Sequence, residues 1–188
     1  MEMRVKGPQV FRAYRNAPEL TQAAFDEEGF YRIGDAGRMV DPDDPARDIA
    51  FDGRVAEDFN LSTGTWVSVG IVRLQSVTAM SPYVADAVIT GHDRDEIGLL
   101  LFLSPQGREA GAEAVREHVR KALAGMRAGG KGSSQCPTRA LLLDDMPAME
   151  AGEITDKGYI NQRAVLDRRR AEVEVLHARP ADPRVVAL

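Results

Sequence analysis

Residues Val84–Ser104 read VADAVITGHDRDEIGLLLFLS. Two apolar runs of strand length, VADAVITG and IGLLLFLS, are joined by the polar turn HDRDE, a pattern that predicts two neighbouring strands. Working outward, GIVRLQSVTAM (70–80) reads as a helix in spite of its β-branched content. Residues 108–128 place Ala112, Val115, Val119, Ala122 and Met126 at helical spacing with charges opposite. AGGKGSSQCP (128–137) reads as a loop, RALLLDD (139–145) as a buried strand and INQRAVLDRRRAEVEVL (160–176) as a C-terminal helix. Ahead of them, DFNLSTGTWVSVG (58–70) alternates on both sides of Thr63-Gly64, as a hairpin does. The sum is a compact βαββαβα unit, an α+β fold with a small sheet and packed helices.

The first fifty residues have a different character. MRVKGPQVF (3–11) alternates like a short strand with a Gly-Pro turn, and Asn16 is placed to cap a helix over APELTQAAF (17–25). GFYRIGDAGRMV (29–40) reads as a strand pair broken at Gly34-Asp35 and IAFDGR (49–54) as another short strand, with the acidic turn segment DPDDPARD between them. The strand run ends, and the second apolar unit begins, at Asp52–Glu57.

Composition excludes several classes. With 188 residues, 44% hydrophobic and 28% charged, the chain can build one ordinary domain or two small ones. A net charge of −5 argues against nucleic acid or an anionic membrane as the main partner. The single cysteine, Cys136, excludes an internal disulfide or a cysteine-based metal cluster, and the three histidines lack ligand spacing. No apolar stretch approaches the roughly 20 residues that span a bilayer, and MEMRVKGPQV lacks the apolar region of a signal peptide. The expected location is the cytoplasm.

Several short stretches carry possible chemistry. GMRAGGK (125–131) nearly spells a phosphate loop, but Gly132 replaces the hydroxyl residue and a helix precedes it, which favours an ordinary loop. Asp35, between Gly34 and Gly37, is either a turn aspartate or a carboxylate that accepts two hydrogen bonds from a sugar diol. Arg54 in FDGR is a diol or phosphate clamp or a solvated strand end. Ser62, Thr63, Gly64 and Trp66 form STGTW, where a glycine beside the only tryptophan admits a narrow ligand or simply turns a hairpin. His92 reads as a polar turn residue and Arg168–Arg170 as a solvated helix face. Lys157, in GEITDKGYINQR (152–163), is the only basic residue between Arg139 and Arg163. It is either a surface lysine or a point charge on a mobile loop, ready for an anionic reactant.

Order decides among these readings. RVKGPQVFRAYRNAPELTQAAF, YRIGDAGRM, FDGRVAEDFNLSTGTWVSVG, VADAVITGHDRDEIG and GEITDKGYINQR follow one another as in the closing third of an adenylate-forming acyl-CoA synthetase. The chain resembles that superfamily from about residue 2 to the C-terminal helix. Within it, FDGRVAEDFNLSTGTWVSVG and GEITDKGYINQRAVL are most similar to the feruloyl-CoA synthase group. The resemblance implies two half-reactions: acid and ATP give an acyl-adenylate, and CoA then displaces AMP. It implies residues 1–53 as the last strands of a large adenylation domain, 54–58 as a hinge, 59–178 as the mobile C-terminal domain and 179–188 as a tail.

By position, Asp35 would accept the ATP ribose hydroxyls and Arg54 would bind near ribose and phosphate. Lys157 would be the adenylation lysine, and Ser62, Thr63, Gly64 and Trp66 would line the pantetheine path of CoA. The hinge would fall at Ala56 and Glu57, where the family usually has Asp or Lys at the position of Ala56. GYINQ separates Lys157 from Arg163, a longer interval than the family usual. The implied substrates are a hydroxycinnamate-type aromatic acid, ATP and CoA. Magnesium is expected for the full enzyme, with no ligand identified in this chain. The family's phosphate loop, adenine-binding segment and acyl pocket would belong to a missing N-terminal portion, so the isolated chain is expected to be inactive. The competing expectation is a detached, non-catalytic docking module that binds another protein or a complete ligase.

Overall fold

The computed structural model describes residues 1–44, 46–130 and 132–188, leaving out the side chain of Asp52. Lys131, which ends the phosphate-loop-like GMRAGGK, lies outside the described residues. The chain divides into two units, Met1–Ala56 and Glu57–Leu188.

In the first unit the elements are β1 (Glu2–Val5), α1 (Pro18–Ala24), β2 (Tyr31–Met39) and β3 (Ile49–Arg54). The three strands make an antiparallel sheet in the order β1-β2-β3. Pro18 suits the first turn of α1, but Asn16 does not cap it: Asn16 sits in the left-handed region at φ 56° and Ala17 takes the N-cap position. Burial here is slight. Ala36 is the one buried hydrophobic residue described in this unit, and Ile49 and Phe51 are 61% and 64% exposed. Order comes from the strand ladders and from an aromatic cluster, Phe11, Tyr14, Phe25 and Tyr31, with ring centroids 4.7–5.6 Å apart.

The second unit holds the core. A two-stranded hairpin, β4 (Phe59–Asn60) and β5 (Trp66–Val67), leads into α2 (Val69–Met80), β6 (Val84–Thr90) and β7 (Gly98–Leu103). Then come α3 (Pro105–Ala110), α4 (Ala112–Ala128), β8 (Arg139–Leu143), α5 (Gln162–Arg168), α6 (Arg170–His177) and β9 (Val185–Ala187). The sheet order is β6-β7-β8-β9, with β7 and β8 parallel and the two outer pairings antiparallel. This is the small α+β fold expected, with helices on both faces of the sheet.

Every residue of β7 is buried, because the alternation of a strand sends its side chains into two separate cores. Leu99, Leu101 and Leu103 pack with Val72 and Met80 of α2 and with Val115, Val119 and Leu123 of α4. Leu100 and Phe102 face the other way, against Val165 of α5 and Leu176 of α6. Each fully buried leucine contributes about 2 kcal/mol. A bidentate ion pair from Arg73 to Asp86, at 2.7 and 2.5 Å, fixes α2 against the bulged start of β6.

In the first unit β2 runs unbroken through Gly34-Asp35, bent there but not ended. Three features of the second unit also depart from the sequence reading. The helix expected over 108–128 is two helices, because Gly111 at φ 83° ends α3. The C-terminal helix breaks too, at Arg169, a residue of the site described below. Residues 179–188 were expected as a tail, yet they supply β9, in which Val186 is fully buried. Pairing with β9 gives the outer edge of β8 a partner. Arg116 of α4 donates to the carbonyls of Arg184 and Pro183 at 2.6 and 2.9 Å, clasping the approach to that strand.

His177, in the last turn of α6, has its Nε2 2.7 Å from the Thr90 hydroxyl. Burial first, and then the positive charges of Arg94 and Arg139, push His177 down from 6.5 to about 4, against the opposing pull of Glu96 and Glu174. A depressed folded value means that neutral His177 favours the folded state above pH 6.5. That contribution is lost as pH falls from 6.5 towards 4, where only the unfolded chain binds the proton. Between pH 7 and pH 5 the wild-type chain should lose about 1–2 kcal/mol of unfolding free energy that His177→Gln keeps, after discounting for partial exposure. Urea unfolding at both pH values measures this, and equal losses in the two proteins would refute it.

Candidate active site

Asp35 and Arg54 are directly opposite each other across β2 and β3. A bulge beside Asp35 and left-handed glycines at 34 and 53 turn the two strands sharply there. Arg54 Nε lies 3.8 Å from Asp35 Oδ1, with the guanidinium two-thirds exposed. The structure thus brings together two residues that the sequence reading singled out separately. A carboxylate and a guanidinium side by side can accept from a diol and donate to a phosphate at the same time.

Ser62, Thr63, Gly64 and Trp66 lie on the β4–β5 hairpin. Leu61 N donates to Thr65 O at 2.9 Å and Gly64 N to Leu61 O at 2.8 Å, with Gly64 at φ 79°. The loop is a three-residue turn closed by a left-handed glycine, a common hairpin solution. Ser62 is committed to the scaffold, since its backbone N–H donates to Arg94 O at 2.9 Å and its hydroxyl to Asp95 at 2.8 Å. Trp66 is half exposed, and a Cβ placed on Gly64 would meet nothing within 4 Å. The face is open to a ligand. Ala56 and Glu57 belong to a single 3-10 turn, Val55–Glu57, and the division between the two units falls between them.

Lys157 stands on a second hairpin of the same design. Thr155 N donates to Tyr159 O and Gly158 N to Thr155 O, both at 2.8 Å, and Gly158 has φ 81°. Lys157 occupies the tip, exposed, and among the described residues no hydrogen bond or ion pair holds its ammonium. The tip is exposed and its foot is buried. An Ile154–Ile160 bridge closes the hairpin, Ile160 is buried, and Asn161 caps α5 by accepting from Ala164 N at 3.2 Å.

Beneath the foot lies a pair that the sequence reading missed. Glu153 is fully buried, and its carboxylate accepts from Arg169 Nε at 2.8 Å and from Ala148 N at 2.9 Å. Arg169 is buried as well, with its guanidinium 5.2 Å from the centre of the Phe102 ring. Burial alone would raise the Glu153 carboxyl, but the bonds from Arg169 and Ala148 N–H and the positive charges of Arg169 and Arg168 outweigh it, leaving it below the usual carboxylate value. The arginine run 168–170 is therefore a solvated face only at its outer members, for Arg168 and Arg170 are exposed while Arg169 points inward. One signal was available. Arg169 falls four residues after the buried Val165 and four before Val173, on the apolar stripe of the helix.

No group of three His, Cys, Asp or Glu side chains among the described residues could hold a metal ion. Likewise, no helix is long and apolar enough to cross a membrane among those residues. His92 is a turn residue beside Asp93, as expected.

The chain has relatives among known proteins. A family described as the AMP-binding enzyme C-terminal domain matches residues 67–180. Triostin synthetase I of Streptomyces triostinicus is 31% identical over 89% of this chain and 29% of its own length. The 4-coumarate–CoA ligase 2 of Oryza sativa subsp. japonica is 29% identical over 64% of this chain and 20% of its own length. Among solved structures, the A domain of carboxylic acid reductase from Segniliparus rugosus, in complex with AMP and a co-purified carboxylic acid, superposes with a TM-score of 0.78 at 25% identity. It covers 96% of this chain and 28% of that one. The chain spans under a third of the length of these relatives.

Gly158 closes the lysine hairpin from the left-handed region, where a Cβ is strained whatever the space around it. Gly158→Ala should therefore lower unfolding stability by about 1 kcal/mol. Exchange at the Thr155 and Gly158 amides should quicken. A thermal midpoint and amide exchange matching wild type would contradict this account of the loop.

Proposed function

The chain belongs to the AMP-binding enzyme C-terminal domain family of adenylate-forming ligases, and we propose that it is the closing portion of an AMP-forming acid–CoA ligase. In the complete enzyme, a carboxylate attacks the α-phosphate of ATP to give an acyl-adenylate and pyrophosphate. The CoA thiol then attacks the acyl carbon and AMP leaves. The observation that carries this reading is the placement of Lys157: an ammonium with no partner among the described residues, at the tip of a tight hairpin whose foot is anchored in the core.

Each residue then has a task. Asp35 accepts the ribose hydroxyls, and its neighbour Arg54 donates to ribose and phosphate oxygens. Lys157 bridges the substrate carboxylate and the α-phosphate, where negative charge grows in the transition state and a placed cation gains most. Residues 54–58, with Ala56 and Glu57 at their centre, act as a hinge. Turning there withdraws Lys157 and brings the Ser62–Trp66 hairpin to the adenylate. Gly64 and Trp66, with Ser62 and Thr63, then line the pantetheine path. Magnesium would neutralise pyrophosphate charge in the full enzyme, and no ligand for it is identified among the described residues.

We take a hydroxycinnamate-type aromatic acid as the substrate class, as in feruloyl-CoA synthase, and the cytoplasm as the site of action. The support is the sequence resemblance over residues 51–70 and 152–166, together with the similarity to a 4-coumarate–CoA ligase. The half-exposed apolar side chains of the first unit, Ile33, Ile49 and Phe51, are the surface on which the remainder of a large domain would pack.

The test uses a complete ligase carrying this chain as its C-terminal portion. Lys157→Ala should slow acyl-adenylate formation by about 10²–10³-fold, the usual cost of one transition-state electrostatic contact. Thioester formation from presynthesised adenylate should be nearly unchanged. A variant that slows both half-reactions equally would refute the rotation, and one that slows neither would make Lys157 a surface lysine.

A further inference from the structure

We propose that the buried Glu153–Arg169 ion pair is a positioning device for Lys157, holding the foot of its hairpin in the one geometry from which the ammonium reaches an anionic reactant. The identity of that reactant rests on the ligase reading above; the positioning does not.

The tip's own bonds are all local: Thr155 N donates to Tyr159 O, and Gly158 N and Tyr159 N donate to the Thr155 carbonyl and hydroxyl. Asp156, Lys157, Gly158 and Tyr159 are all exposed, Tyr159 to 68%. Their geometry is inherited through the Ile154–Ile160 bridge and through Asn161 N, which donates to Glu153 O at 2.8 Å. Glu153 is thus the last fully buried residue before the lysine, and its side chain binds two separate pieces of the fold. Its carboxylate holds Ala148 N of the preceding loop and the guanidinium of Arg169 at the α5–α6 junction, and Arg169 Nη2 donates on to Met146 O at 3.3 Å. Phe102, in the central strand, backs the guanidinium.

Stability alone does not call for this arrangement. Burying a carboxylate and a guanidinium costs several kcal/mol of desolvation, and a well-packed apolar pair of similar volume is often as stable or more so. The fold also gives up a continuous helix here, since Arg169 at φ −99° and ψ 35° ends α5 before α6 begins. What the ion pair supplies, and methionines would not, is direction. A fork of Arg169 Nε and Nη2 onto the two carboxylate oxygens, at 2.8 and 3.3 Å, fixes the orientation of the Glu153 backbone as well as its depth.

The experiment takes the 188-residue chain, with Glu153→Gln and the double variant Glu153→Met/Arg169→Met, and reads unfolding together with backbone dynamics. The double variant should unfold near the wild-type midpoint. In both variants the amides of Asp156–Tyr159 should become mobile, with order parameters falling below about 0.6. Exchange at Thr155 and Gly158 should quicken by about tenfold or more. If the double variant does not fold, Glu153→Gln, which keeps the shape and one acceptor oxygen, carries the same readout. A hairpin as rigid as wild type in a folded variant overturns the proposal. In the complete ligase, the same substitutions should slow adenylation by about 10–100-fold, the cost of a small misplacement of a reacting group, with the thioester step unchanged. A loosened hairpin with unimpaired adenylation upholds the positioning and overturns the role given to Lys157.

Discussion

A carboxylate with no exposed surface is the constraint on which the second unit turns. Glu153 cannot sit in the interior unpaired, because the effective penalty for a stranded charge is several kcal/mol. Arg169 turns inward to meet it, at the residue where α5 ends. The hairpin between Ile154 and Ile160 rises from this base, and Lys157 is displayed at its end. One ion pair thus joins a helix break to the foot of the loop that carries a candidate catalytic cation.

The sheet provides what this arrangement leans on. β7 is buried on both faces, so a change in its side chains reaches the α2–α4 layer and the α5–α6 layer alike. Phe102 belongs to the second of these faces and touches the same guanidinium that holds Glu153. Two hairpins of one design, closed at Gly64 and at Gly158, project from this unit, and each leaves a tip open to solvent. In the proposed ligase they serve different half-reactions, and a tight three-residue loop suits both because it presents its tip without burying it.

Much of this was legible in the sequence. The apolar runs at 84–91 and 97–104 announce the central strands, and the spacing of Val115, Val119 and Ala122 announces one face of α4. Glycines flank both Asp35 and Arg54, which the structure sets side by side at a bend in β2 and the end of β3. What escaped the reading was long-range. Helical periodicity continues straight through residue 169, yet the helix stops there, where Arg169 meets a partner sixteen residues upstream, Glu153. Val185–Ala187 is too short to read as a strand until β8 offers it a ladder. A charge in an arginine run reads as solvated unless its buried counter-charge is known in advance.

In the proposed ligase, Lys157 meets its anionic reactants in one orientation of the second unit and leaves them in the other. Lysine acetylation footprinting of the complete ligase, read by mass spectrometry, addresses it directly. With ATP and acid bound, Lys157 should be protected from the reagent, and with an acyl-adenylate analogue and CoA bound it should react as readily as a solvent-exposed lysine. Equal reactivity of Lys157 in the two complexes would contradict the account.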